Sequence, residues 1–258
     1  MPPLRFQKTF ISDERYESAA VFDVDNDGVP DIVSGAYWYP GPRFDRKCKI
    51  GEVKAVGEYY DDFSTVPLDV NGDGYLDFIT GGWWGKTLYW RENPQGDPAK
   101  PWAMHKIAEF GNIETTRGWD VDGDGRAEIV PNTPGGPQRF YKLRTDPDGR
   151  GTGEFSEHVI SEGASGHGFG FGDVNGDGRG DIVLAKGWLE CPADPLGGPW
   201  TFHGEFDLGS ASCPVLVVDV NGDGLNDLIV GQAHGYGLDW WEQRREGGRR
   251  TWVIIQPL

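Results

Sequence analysis

Five times the chain writes the same nine-residue loop, with oxygen-bearing side chains at positions 1, 3, 5 and 9 and glycine at position 6. The copies are Asp23, Asp25, Asp27 and Asp31; Asp69, Asn71, Asp73 and Asp77; Asp120, Asp122, Asp124 and Glu128; Asp173, Asn175, Asp177 and Asp181; and Asp219, Asn221, Asp223 and Asp227. A hard cation needs this pattern. Ca²⁺ takes roughly 6 to 8 oxygen ligands at about 2.3 to 2.6 Å, and a short segment can surround it only by turning sharply, which glycine permits. Asp, Asn and Gly also make plain turns, but five copies with fixed internal spacing exceed what turn chemistry alone explains. Up to five Ca²⁺ ions are therefore expected.

An EF-hand is excluded, because it needs Glu at position 12 and flanking helices, whereas position 12 of the last loop is Val230 in an apolar run. The loops recur at steps of 46, 51, 53 and 46 residues, a period of propellers, solenoids and arrays. A short strand precedes each loop, at 18–22, 64–68, 115–119, 168–172 and 214–218, and another follows it, so the loop is a hairpin connection. Most repeats then carry an aromatic strand (88–90, 139–141, 238–241) and an outer strand of the form aromatic-x-x-His. Four strands per 40–50 residues predict an all-β protein, a β-propeller of four-stranded blades occupying 1–258 as a single domain. Outer strands number six, at 4–10, about 45–50, 102–107, 155–160, 200–206 and 251–256, against five loops. The surplus favours a fragment of a larger propeller, since an open ring leaves a blade edge unpaired.

In such a blade, residues before the first strand and after the second meet at the end opposite the loops. Six before each first Asp stand Glu17, Phe63, Glu114, His167 and Cys213, and seven after each last ligand stand Trp38, Trp84, Gly135, Trp188 and His234. Glu17, Glu114, His167 and His234 are thus expected at one channel mouth, ringed by tryptophans. Two carboxylates and two imidazoles can hold Zn²⁺ or another divalent metal, or move protons, and indole faces suit a sugar ring. Solvated polar residues at a wet mouth are the plain alternative. His105, His158 and His203 recur in the outer strand, three after an aromatic, and read as structural.

The formal net charge is −17, yet the loops alone hold 17 of the 41 acidic residues, and five Ca²⁺ would bring the charge to −7. A nucleic-acid partner is disfavoured, because no basic stripe exists beyond Arg244-Arg245 and Arg249-Arg250. Gly (40) and Pro (18) suit many short strands. Three cysteines, Cys48, Cys191 and Cys213, define no disulfide framework. No signal peptide or membrane span is legible. Weak calcium loops need millimolar-range calcium, which favours an extracellular or periplasmic setting.

The loops resemble the FG-GAP or VCBS repeat. Beyond it, Gly166-His-Gly-Phe-Gly-Phe-Gly-Asp173, Lys186-Gly-Trp-Leu-Glu-Cys-Pro-Ala-Asp194, Trp200-Thr-Phe-His203 and Gly231-Gln-Ala-His-Gly-Tyr-Gly-Leu-Asp-Trp-Trp-Glu242 are similar to the propeller domain of the aldos-2-ulose dehydratase family. That resemblance implies a seven-bladed, metal-containing propeller joined to cupin-type domains and dehydrating oxidised sugars. It marks His167 and His234 as metal or catalytic candidates. Trp38, Trp84, Trp188 and Lys186 are the expected substrate contacts. The expected partner is a carbohydrate-like small molecule, bound or dehydrated at the mouth, with an integrin- or lectin-like interaction module as the non-catalytic alternative. This chain differs in having five loops and no cupin region.

Overall fold

Each loop ends on the first residue of a strand, and that residue, although acidic, is buried. Asp31, Asp77, Glu128, Asp181 and Asp227 open the second strand of five successive four-stranded blades. In the computed structural model, which describes residues 4–163 and 166–255, the first blade runs β1 (Ala20–Phe22), β2 (Asp31–Ser34), β3 (Tyr37–Tyr39) and β4 (Cys48–Lys49). A small hairpin, β5 (Ala55–Val56) and β6 (Tyr59–Tyr60), leads to the second blade: β7 (Val66–Leu68), β8 (Asp77–Gly81), β9 (Thr87–Glu92) and β10 (Ala103–Glu109). The third blade is β11 (Thr115–Trp119), β12 (Glu128–Asn132), β13 (Gln138–Thr145) and β14 (Gly151–Ser161). The fourth is β15 (Phe169–Gly172), β16 (Asp181–Leu184), β17 (Gly187–Glu190) and β18 (Thr201–His203), and the fifth β19 (Val215–Val218), β20 (Asp227–Gly231), β21 (Leu238–Glu246) and β22 (Arg249–Ile255).

Strands pair antiparallel in chain order within every blade, so the protein is an all-β propeller, as the period implies. The sixth outer strand does not exist: residues 4–10 form no strand, and Leu4, Phe6 and Phe10 are exposed. An apolar alternation with no edge to pair against does not by itself make a strand. The other five outer strands form close to their expected places, with Gln256 outside the described residues.

Second strands such as β8 and β12 are buried throughout because each is covered on both faces. Four apolar clusters join consecutive blades. The valine at loop position 2 seals each joint: Val24, Val70, Val121 and Val174 are buried in these clusters, whereas Val220, in the fifth blade, is 43 % exposed. Among the described residues no apolar cluster joins the fifth blade to the first. Blades four and five meet more closely than the rest, through a parallel pairing of β15 with β19. Gly170 allows it, since a Cβ there would lie 2.3 Å from the Val215 carbonyl oxygen.

Polar ties repeat alongside the apolar ones. The carbonyl of the position-2 valine accepts a hydrogen bond from the next blade: Asn93 Nδ2 donates to Val24 O (2.8 Å), the Gly153 N–H to Val70 O (2.8 Å) and Gln243 Nε2 to Val174 O (3.0 Å). Asn93 also donates to Leu76 O, so removing its side chain strands two carbonyls, and leaving a buried polar group unpaired costs about 1–3 kcal/mol. Asn93→Ala is expected to lower unfolding free energy by ~2 kcal/mol in urea titration, with an unchanged far-ultraviolet spectrum. A variant as stable as the parent would show the tie to be dispensable.

Candidate functional site

The five loops share one backbone design. Glycine at position 6 has positive φ in every copy, from +84° at Gly224 to +89° at Gly74, a conformation that costs other residues roughly 1–2 kcal/mol. The carboxylate at position 1 accepts N–H groups from later in its own loop, as Asp69 does from Gly72, Asp73 and Gly74. The carboxylate at position 9 has another duty. Asp77 Oδ2 accepts the Val70 N–H (2.9 Å) and Oδ1 the Asn93 N–H (2.8 Å), tying loop to third strand. Asp31, Asp181 and Asp227 repeat this with Val24 and Gly41, Val174 and Cys191, Val220 and Gln243. Burial pushes Asp77 up to about 7 and Asp181 up to about 6, the backbone donors offsetting only part of the rise. A cation in the loop would oppose that rise.

The loops differ in how well they suit a divalent ion. In the first, ligating atoms of Asp23, Asp25 and Asp27 lie within 4.8 Å of one another, and Asp25 Oδ1 is buried with no hydrogen-bond partner. An orphaned carboxylate oxygen among two other carboxylates fits a hard cation. In the second, fourth and fifth loops position 3 is Asn, whose Nδ2 donates to a glutamate on the third strand: Asn71 to Glu92, Asn175 to Glu190 and Asn221 to Glu242, at 3.2–3.4 Å. Glu92 and Glu190 are in turn 2.7 Å from His105 and His203, which stack on Trp90 and Trp188. His158 stacks on Phe140. The outer-strand histidines are thus built into the blades, as their recurrence implies.

In the third loop Asp120, Asp122 and Glu128 converge within 4.8 Å, and Lys142 Nζ bonds Asp122, Asp124 (2.7 Å) and Glu128 (3.0 Å). Burial works against the ammonium, but these three hydrogen bonds outweigh it and hold Lys142 above the ordinary lysine range.

At the opposite end, Glu17, Phe63, Glu114, His167 and Cys213 line a single cavity of 260 Å³ with Thr115, Ser212 and Ala233. All five residues that stand six before a loop are there. It shares Glu17, Phe63 and Thr115 with a cavity of 560 Å³ between the innermost strands, where Arg117 and Trp119 also lie. His167 Nδ1 is 3.2 Å from Glu114 Oε1, and the His167 and His234 rings meet edge-on with centroids 5.0 Å apart. Burial, then the charge of Glu114, raises the Glu17 carboxyl above its usual range. Imidazole nitrogen and carboxylate oxygen are donor types that Zn²⁺ accepts, although among the described residues only the first and third loops bring three such atoms within 4.8 Å of one another.

Asn132 is the residue that spacing did not reveal. Its Nδ2 donates to the carbonyls of Gly166 and His167 (both 3.2 Å), and its own carbonyl accepts the Glu114 N–H (3.0 Å), so it positions both members of the His167–Glu114 pair. The one available signal is that Gly35, Gly81 and Gly231 occupy the equivalent strand position.

The tryptophan ring does not form as expected. Trp38 and Trp188, each 1 % exposed, are buried in inter-blade clusters, because they sit inside third strands whose faces are covered on both sides. Trp84 is 36 % exposed, at the rim beside Phe63 and Tyr59. Lys186 is exposed at the turn between β16 and β17, next to Ala185, against which the Gly166–Gly168 segment packs.

An FG-GAP-like repeat family matches residues 69–131 and 120–184. Residues 69–184 carry FG-GAP-like repeats. The crystal structure of the rhamnogalacturonan lyase YesW is similar in fold (TM-score 0.50, 15 % identity), over 87 % of this chain and 48 % of that one. The V. cholerae biofilm matrix protein Bap1 gives a TM-score of 0.37 at 18 % identity, over 86 % of this chain and 33 % of its own. The chain therefore spans about half the length of the lyase and a third of Bap1. No curated protein matches it by sequence.

Near the rim, Asp62 is a buried carboxylate whose Oδ1 accepts the Thr80 hydroxyl (2.6 Å), and burial pushes it up to about 6. The native state thus holds this proton more tightly than the unfolded chain, whose Asp titrates near 3.9. Stability from this group is complete below pH ~4 and lost as pH rises through about 6. Asp62→Asn cannot ionise, so its stability relative to the parent should rise by roughly 3 kcal/mol between pH ~4 and ~7. Denaturant titrations giving a pH-independent difference would refute this.

Proposed function

We propose that this chain is a calcium-stabilised FG-GAP-like propeller whose rim, at the end opposite the loops, binds a carbohydrate-like small molecule. One observation carries the rim assignment: Glu17, Glu114 and His167, drawn from three blades, line one cavity, with His234 edge-on to His167. Carboxylates and imidazoles supply donors and acceptors for hydroxyls, and the exposed indole of Trp84 supplies an apolar face. Lys186 adds a cation at the same end. Calcium belongs to the four Asp-ended loops, 23–31, 69–77, 173–181 and 219–227, supported in the first by its convergent acids and the orphaned Asp25 oxygen and in the other three by the shared spacing of ligand positions. An extracellular or periplasmic location follows from that calcium requirement. Among the described residues, no helix is long and apolar enough to cross a membrane.

The His167–Glu114 pair favours a second reading, dehydration of an oxidised sugar in the manner of the aldos-2-ulose dehydratase family. Glu114 orients His167 through Nδ1. Glu17, raised by burial, is poised to take the proton alpha to a carbonyl and return it to the departing hydroxyl, which leaves as water. Zn²⁺ or another divalent ion held by His167 and His234 would polarise that carbonyl. A further propeller portion or cupin-type domain is the partner that this reading implies.

Two measurements test these assignments. Each Ca²⁺ site at 100-fold excess over its dissociation constant adds about 2.7 kcal/mol, so excess chelator should lower Tm by ~5 °C or more. An unmoved melt would remove calcium from the account. In calorimetric titration against neutral and oxidised saccharides, His167→Ala/His234→Ala should weaken binding at least ~10-fold. Undiminished binding with no water elimination by the parent would favour a lectin-like site elsewhere, whereas water elimination by the parent that the double variant loses would favour the dehydratase.

A further inference from the structure

The third loop departs from its siblings at three places at once, and the three departures face one another. Position 3 is Asp122 where three siblings have Asn, position 9 is Glu128 where all siblings have Asp, and the third-strand partner is Lys142 where Glu92, Glu190 and Glu242 stand. Strand register makes those four partners equivalent. Phe78 pairs with Arg91, Ile129 with Tyr141, Ile182 with Leu189 and Leu228 with Trp241, so each partner is the next residue along and faces its own position-9 acid. In the first blade the same register reaches Pro40, which carries no charge.

Three of the siblings pair a neutral amide with an acid. The third loop instead pairs an acid with an ammonium, and lengthens the position-9 side chain by one methylene so that Glu128 Oε1 reaches Lys142 while Oε2 keeps the clamp on the Val121 N–H. Lys142 Nζ, with three donors, bonds carboxylates from positions 3, 5 and 9, three of the four ligand positions. Its side chain is only 24 % exposed. A divalent ion drawn to the convergent Asp120, Asp122 and Glu128 would have to compete with the ammonium for Asp122 and Glu128.

We infer that Lys142 is a tethered cation that occupies the third loop in place of calcium, making the central blade independent of calcium while its neighbours require it. The occupancy contrast rests on the calcium reading of the sibling loops, whereas the role of Lys142 in the third loop does not. A covalently attached ammonium cannot dissociate or be chelated, so the third blade keeps its loop closed at any calcium concentration. A monovalent ammonium also leaves the loop net acidic, because four carboxylates surround one positive charge.

The test is equilibrium dialysis with calcium, combined with melting in excess chelator. The parent and Lys142→Arg should each bind four Ca²⁺. Asp122→Asn/Lys142→Glu, which restores two of the three features that the second, fourth and fifth loops share, should bind five. In chelator, Lys142→Met should melt ~3 °C or more below the parent, and Lys142→Arg should stay close to it. Five ions on the parent, or no gain in a folded double variant when the parent holds four, overturns the inference. So does a Lys142→Met melt equal to the parent's in chelator, whatever the calcium count. A parent that binds no calcium, with Lys142→Met still destabilised, overturns the calcium reading of the siblings and leaves Lys142 as the resident cation.

Discussion

A buried carboxylate at the last position of each loop is the constraint from which the blade is built. Placing Asp77 or Asp181 in an apolar interior is costly, and the cost is offset in part by two backbone donors from different segments, one in the loop and one just past the third strand. The same carboxylate thereby fixes where the hairpin closes, where the second strand starts and how the third strand lies against it. Position-2 valine follows from this, since its N–H is held by the acid, its carbonyl by the next blade and its side chain by the inter-blade core. One residue couples loop closure, blade geometry and blade-to-blade packing.

The two ends of the blades follow different rules. At the loop end each site is local: nine consecutive residues supply the acids, the turns and the glycine conformation, and a third-strand residue sets the charge balance. At the rim each blade supplies one residue to a shared cavity, so that Glu17, Glu114 and His167 come together although some fifty residues or more separate each from the next. The loop end and the rim can then vary independently, connected through largely buried second strands.

Charge along the third strand shows how a repeat protein individualises its copies. Glu92, Glu190 and Glu242 receive an amide from the loop, and two of them bind an imidazole on the outer strand. When the partner becomes Lys142 the whole relay changes: the amide becomes Asp122, and His158 takes Ser156 as its neighbour at 3.1 Å instead of an acid. Such a concerted exchange is expected where charged groups share one partly buried network, because Asp at position 3 facing a glutamate would set like charges against each other.

The spacing of acids and glycines by itself determined the five hairpins, the strands flanking them and hence the propeller, because those features rest on short-range turn chemistry and on a period the chain repeats. It also brought the rim residues onto one list, since counting from a fixed loop is counting along a fixed hairpin. Only the tertiary structure decided which aromatic residues are surface and which are core. Trp38, Trp84 and Trp188 stand at one offset, yet two are buried between blades and one is not. Residues 4–10 alternate like a strand but find no edge to pair with. Asn132 and Lys142 act across strand pairs, through contacts that depend on register and on which blade comes next, and no spacing within one repeat encodes those.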